Sequence, residues 1–298
     1  MAASGILLVD KAGGMTSHDV VARARRALGT RKVGHAGTLD PMATGLLVLG
    51  VESSTRLLTY LVGLGKTYEA TIRLGAATDT DDAEGDEIAR ADAVAVAALD
   101  PLRIDAGIAA LTGPISQVPS TVSAIKIGGR RAYDLARAGE EVTLKARDVT
   151  IDRFDVLGQR AVDGMRDLDV VVECSSGTYI RALARDLGTD LGVGGHLTAL
   201  RRTRVGPFDV ADAVAVDDIA EGALRRPADV AAAVLGRLDV TADEGRDLRH
   251  GKKLVGAGSR LDGPLAAAID PDGRLVGVVA PRGADVKSVM NLAEGGDR

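Results

Sequence analysis

Gly34-His35-Ala36-Gly37-Thr38-Leu39-Asp40-Pro41-Met42-Ala43-Thr44-Gly45 is the stretch on which the reading of this 298-residue chain turns. Two aliphatic runs flank it. Gly5-Ile-Leu-Leu-Val-Asp10 lies upstream, and Leu46-Leu-Val-Leu-Gly50 follows at once. Gly34, Gly37 and Gly45 permit backbone geometry that bulkier residues resist. Pro41 disfavours a helical backbone at Asp40 and points to a turn. A carboxylate therefore sits on a tight loop between buried elements, where catalytic groups are often placed. An Asx-type turn residue is the plain alternative, and an Asp-Pro pair alone favours it.

Working outward, composition bounds the class. Apolar residues make up 46% and charged residues 27%, as in a globular protein with one large domain or a large and a small one. No apolar run approaches the roughly 18 residues of a membrane helix, and no secretory leader is legible, so no membrane partner is expected. Cys174 has no second cysteine to pair with, which fits a reducing, cytoplasmic location. Four scattered histidines and Cys174 show no ligand spacing, so no metal is expected. Aromatics are few and Trp is absent, so the core must come from Ala, Val, Leu and Ile.

The net charge of −5 by itself argues against nucleic acid. Its distribution is uneven. Residues 79–105 hold nine carboxylates against two arginines, while Arg23, Arg25, Arg26, Arg31 and Lys32 occur in a run without acids. Lys126, Arg130, Arg131, Arg137, Lys145 and Arg147 form a second basic stretch, and Arg201, Arg202 and Arg204 a third. Such runs are equally the mark of a solvated face.

Two familiar motifs fail on inspection. Gly65-Lys66-Thr67 suggests a phosphate-binding loop, but position 60 is Tyr where the first glycine belongs, and the following residues read as a strand. Thr78-Asp-Thr-Asp-Asp-Ala-Glu-Gly85 suggests a calcium loop, but the twelfth residue from Asp79 is Arg90 rather than Glu. Elsewhere, Ser17 is read as the cap of a helix from His18 to Leu28 that Gly29 stops. Asp169 to Cys174 reads as a strand. A helix from Thr178 to Leu187 buries Ile180, Leu183 and Leu187. Arg181 falls in its first turn, where the helix dipole disfavours a cation and a functional partner would explain it. After about Pro227 a short helix, Val240 to His250, precedes strands joined by the turn Asp270-Pro-Asp-Gly273.

The string Gly34–Gly45 resembles the signature of the bacterial TruB family of tRNA pseudouridine synthases. Further matches stand in the family's order. Lys66-Thr67-Tyr68 resembles its Lys-x-Tyr, and Gly177-Thr-Tyr179-Ile-Arg181 its second signature. Gly195-His-Leu-Thr-Ala-Leu200-Arg-Arg202 resembles its third. The resemblance covers roughly residues 5–210. It departs at Ala12, where the family has Pro, and at Val122, where Tyr is common. It implies Asp40 as the nucleophile, ion-paired with Arg181. It implies Tyr68 stacked on the target uracil with a part in proton transfer, Tyr179 and Leu200 as pocket walls, and His35 in the space the flipped base leaves. Asp82 would help hold the arginine. Lys126, Arg130, Arg131 and Arg137 would meet RNA phosphates within an RNA-clasping insertion, about residues 113–146, that runs into a helical stretch through Arg137.

Isomerising uridine to pseudouridine loses no atoms and changes no oxidation state, so no cofactor is expected. A buried carboxylate stays ionised only if a cation opposes desolvation, which an arginine does. Attack on the base and attack on the sugar carbon both fit these residues. The implied substrate is the T-loop uridine at position 55, which must leave its stack to be reached. The T-arm of tRNA is thus the expected partner, and the chain is expected to be a monomer. An RNA-binding or tRNA-folding protein without catalysis, and a synthase for another RNA, are the alternatives. The expected fold is α+β: a large mixed, mainly antiparallel sheet with flanking helices over residues 1–227, then a small β-rich, PUA-like RNA-binding domain over 228–298.

Overall fold

Two compact units make up the chain: residues 1–64 with 204–298, and residues 65–203. The structure, a computed structural model, describes residues 3–120, 126–127, 130–131 and 144–292. It has the α+β class expected.

In the first unit, strand Gly5–Lys11 pairs antiparallel with strand Thr44–Val51, from Gly5 opposite Val51 to Lys11 opposite Gly45. Both are continuous aliphatic runs because both of their faces are covered. Ile6, Leu8, Leu46 and Val48 enter one core with Ala228, Ala231, Ile269, Val278 and Met290. Leu7, Val9, Leu47 and Leu49 point the other way, onto Val20, Val21 and Ala24 of helix Ser17–Ala27. That helix is capped by Thr16 rather than by Ser17. The Thr16 hydroxyl accepts from the Asp19 N–H at 3.1 Å, and the Asp19 carboxylate accepts from the Thr16 N–H at 2.8 Å, a reciprocal capping box. Gly29, with φ +63°, follows its end.

The C-terminal strands form a five-stranded sheet in the order Arg237–Asp239, Ala266–Ile269, Leu275–Arg282, Asp285–Asn291 and Lys253–Leu254. Its turn at Asp270–Gly273 closes as the sequence suggests, with the Asp270 carboxylate accepting the Asp272 and Arg274 N–H groups at 3.1 and 2.9 Å. One face of this sheet shares the first core described above. The other face buries Ala266, Ala268, Val276, Val279 and Val286 with Leu248 of helix Ala242–Arg249.

In the second unit the strand order is Gly195–Val205, Lys66–Leu74, Met165–Cys174, Arg147–Val162 and Gly113–Gln117. The last two residues of the first of these belong to the other unit. Strict alternation marks Lys66–Leu74: Lys66, Tyr68, Ala70, Ile72 and Leu74 are buried and the residues between them are more open. Asp163 (φ +49°) and Gly164 (φ +78°) turn the long hairpin between Val162 and Met165, as a two-residue Asp-Gly loop does. Arg73 grips the buried Asp167 with two hydrogen bonds, 2.7 and 2.9 Å, across the strand pair.

Pairing between Gly113–Gln117 and Arg147–Val162 reaches Gln117 opposite Arg147. Between these points Lys126–Ile127 and Arg130–Arg131 pair as a small antiparallel ladder across Gly128-Gly129, so Arg130 and Arg131 stand in a strand rather than at the start of the helix expected there. Arg137 and Val122 lie outside the described residues.

Candidate active site

Asp40 lies in the first unit, on the loop between strands Val33–His35 and Thr44–Val51. Gly37 and Gly45 have φ of +96° and +99°, values that side-chain-bearing residues rarely adopt, which is why glycines frame this loop. The backbone on either side of Asp40 is held by side chains at the end of strand Gly5–Lys11 and the start of helix Ser17–Ala27. Before it, the buried Ser17 hydroxyl donates to the Leu39 carbonyl at 3.1 Å and accepts the Leu39 N–H at 2.9 Å. After it, the Pro41 carbonyl accepts from the Lys11 ammonium at 3.1 Å and the Gly14 N–H at 2.9 Å. Lys11 also donates to the carbonyls of Ala12 and Met15, at 3.0 and 2.7 Å. A fully buried ammonium is costly unless such acceptors surround it. Ala12, which replaces the family's proline, thus sits in a turn wrapped around Lys11. The half-buried His35 meets the ring of His18 edge-on, centroids 5.5 Å apart.

Tyr68, Tyr179, Arg181 and Leu200 lie in the second unit. Tyr68 and Leu200 are on strands adjacent in its sheet, 8% and 7% exposed. Tyr179 precedes helix Ile180–Asp190 as its N-cap, and Arg181 is in the first turn. The partners that explain a cation at that disfavoured position are on the loop after Thr78. Arg181, 3% exposed, reaches the Asp82 carboxylate at 3.2 Å and the Thr80 carbonyl at 2.8 Å. Asp82 in turn accepts from the Thr80 hydroxyl at 2.6 Å and the Glu84 N–H at 3.0 Å. One helical turn on, Arg185 pairs with Asp81 at 3.2 Å. Burial pushes the Asp81 carboxyl up, against the pull of Ser120, Arg185 and Arg181. Two arginines one turn apart therefore grip two consecutive aspartates. The acidic loop that resembled a calcium site serves its own arginines.

The same helix is seated by glycine. A Cβ on Gly188 would fall 2.2 Å from backbone atoms of Gly194 and Gly195, and one on Gly195 would fall 2.4 Å from the Ala184 carbonyl. Helix Ile180–Asp190 therefore touches the start of strand Gly195–Val205 backbone to backbone.

The sequence names Asp40, Tyr68 and Arg181 as candidates but passes over the groups that hold the Asp40 loop and the start of the Arg181 helix: Lys11 as a carbonyl clamp, Ser17 as a loop anchor, Gln117 hydrogen-bonded to the Tyr179 backbone, and Gly188. Lys66 and Cys174 face each other across paired strands. Burial, then the Arg202 charge, brings the Lys66 amine down to about 8, and burial pushes the Cys174 thiol up to about 11. Cys174 is thus an inert core thiol.

Comparison with known proteins gives a consistent assignment. Residues 25–180 match the model of the TruB family pseudouridylate synthase N-terminal domain. Residues 181–238 match the tRNA pseudouridylate synthase B C-terminal domain, and residues 235–293 the C-terminal model of tRNA pseudouridine synthase II. A tRNA pseudouridine synthase B of Leifsonia xyli subsp. xyli is 58% identical over 296 residues, covering 98% of this chain and 97% of that one. One from Nocardia farcinica is 57% identical over 291 residues, covering 94% of each. Among solved structures, a Cbf5-Nop10-Gar1 complex superposes with a TM-score of 0.70 at 24% identity, covering 97% of this chain and 85% of that chain, a likeness of fold. The class is therefore that of the pseudouridine synthases. Within it, the chain belongs to the TruB family.

Proposed function

We propose that this chain is a tRNA pseudouridine synthase that isomerises the T-loop uridine at position 55. Asp40 is the nucleophile, and Arg181 supplies the positive charge that keeps a desolvated carboxylate ionised. In the reaction the N1–C1′ bond breaks, the base turns, C5 bonds to C1′, the C5 proton leaves and N1 takes one up. Tyr68 stacks on the uracil and serves the proton transfer, while Tyr179 and Leu200 wall the pocket and His35 fills the space of the flipped base. Lys126, Arg130, Arg131 and Arg137 hold phosphates of the T-arm, a positioning role without sequence readout.

Family membership with an intact Gly34–Gly45 loop carries this reading, supported by an Asp40 backbone held from both sides. The test is tritium release from unmodified tRNA labelled at uridine C5, with a chelator present. Release by the wild type and a loss of more than a hundredfold in Asp40→Asn, with tRNA binding kept, is the expected outcome. Equal release by both proteins would remove Asp40 from the reaction. Binding without release by either would favour an RNA-binding protein.

A further inference from the structure

We propose that Gln117 is a positioning residue for the reaction, acting through the backbone of Tyr179; this rests on the activity proposed above. Its side chain is 2% exposed and spans 62 residues of sequence to reach the start of helix Ile180–Asp190. The amide Nε2 donates to the Tyr179 carbonyl at 3.0 Å, and Oε1 accepts the Tyr179 N–H at 2.8 Å. Both bonds together fix the orientation of the amide, since a flipped Gln would face donor with donor and acceptor with acceptor.

Three further observations give the clamp its meaning. First, helix Ile180–Asp190 carries no side-chain cap of its own from Tyr179. The Tyr179 carbonyl already accepts the Leu183 N–H at 3.3 Å, and Gln117 occupies its second lone pair. Oε1 thus accepts the N-cap N–H from a distant strand, the bond that an N3 side chain supplies in a capping box. Second, the clamped residue, Tyr179, is itself the proposed pocket wall, and the proposed cation, Arg181, stands two positions on. Third, the next residue along is tied to the same helix. Arg185 donates to the Val118 carbonyl at 2.8 Å while holding Asp81. Gln117 is also the last residue of its strand, paired with Arg147, so the residue that ends the strand is the one that fastens Tyr179. A displacement of about 1 Å in a reacting group costs on the order of a hundredfold in rate. A buried two-bond clamp on the pocket wall therefore acts on turnover rather than on RNA affinity.

The experiment compares wild type with Gln117→Met, which keeps the length and packing of the side chain and removes both hydrogen bonds. Single-turnover tritium release at saturating tRNA, tRNA Kd by filter binding, and amide hydrogen exchange over residues 178–183 are measured on each. The expected result is a rate at least tenfold lower, a Kd within threefold of wild type, and exchange at Tyr179 at least tenfold faster. A wild-type rate in Gln117→Met overturns the proposal, as does a loss confined to Kd, which would make Gln117 part of the RNA grip. Unchanged exchange at Tyr179 overturns the clamp itself. A wild-type protein that releases no tritium defeats the activity reading instead, and the exchange comparison then still decides whether Gln117 holds Tyr179.

Discussion

Ser17→Ala tests whether the loop of Asp40 is held by side chains or would hold itself. The Ser17 side chain is 1% exposed and Leu39 is 3% exposed, so water does not readily replace the hydroxyl. Its removal strips one hydrogen bond from the Leu39 N–H (2.9 Å) and one from the Leu39 carbonyl (3.1 Å). A buried polar group left without a partner costs about 1–3 kcal/mol, and two adjacent ones relax together, giving a gross cost of about 3 kcal/mol. Alanine is the better helix former by about 0.5 kcal/mol, and Ser17 is the first helical residue, so the net is about 2–2.5 kcal/mol. For a chain of this size that is roughly 5 °C in Tm. Because Leu39 precedes Asp40, the same change moves the carboxylate. Single-turnover rate is expected to fall about tenfold with tRNA Kd unchanged. Differential scanning calorimetry and tritium release read the two effects. A variant within 1 °C of wild type at full rate would refute the anchoring argument, because no other role is assigned to this hydroxyl.

Two further outcomes follow from the second unit. Gly188→Ala places a methyl group 2.2 Å from the Gly194–Gly195 peptide, so helix and strand must separate, at a cost above about 3 kcal/mol and a Tm loss of more than about 6 °C. Gly192→Ala, where φ is +75° but nothing lies within 4 Å, should cost only about 1 kcal/mol; equal Tm losses in the two variants would contradict the close-approach argument. Lys66 titrates at about 8 in the folded chain against 10.5 in the unfolded one, so the unfolded state binds more protons between those values. Stability should therefore rise by about 1 kcal/mol from pH 7.5 to 9. Above pH 9 the raised Cys174 thiol opposes the gain, since there the folded state keeps a proton that the unfolded state loses. Lys66→Met should lose this rise in urea unfolding at stepped pH, and parallel profiles for the two proteins would defeat the assignment.

The elements that could be read from the sequence are those written in periodicity and turn chemistry. The runs Gly5–Asp10 and Leu46–Gly50 are strands because both faces are covered. The alternation from Tyr68 to Leu74 and the Asp270–Gly273 turn also stand as read. The helix cap shifts from Ser17 to Thr16 for a specific reason. In Thr16-Ser-His-Asp19 the box partner three residues on fits Thr16, which leaves Ser17 for Leu39. A local rule names the capping class but cannot tell which of two adjacent hydroxyls is wanted elsewhere. The glycine pair Gly128-Gly129 is a similar case. The stretch up to Arg137 reads as helical, and the structure pairs Arg130–Arg131 with Lys126–Ile127 as strands instead. Arg181 was legible as an anomaly, a cation at the wrong end of a helix, before Asp82 and Thr80 supplied its partners.

What could not be read follows one physical pattern. Ser17 to Leu39, Lys11 to Pro41, Arg181 to Thr80, Arg185 to Val118 and Gln117 to Tyr179 are all side chains bonding to backbone on another segment. Such bonds carry no repeat, because the acceptor is a carbonyl that every residue possesses. They also fall where regular structure stops. The loop of Asp40 and the start of the Arg181 helix have backbone groups that neither ladder nor helix satisfies, and a buried group of that kind must find a partner. Each clamp meets that need, and those of Ser17, Lys11, Arg181 and Gln117 also remove freedom from Asp40's neighbours, Arg181 or Tyr179. It follows that the polar residues most worth mutating in this chain are those that touch a main-chain atom next to Asp40, Tyr179 or Arg181, whatever their distance in sequence.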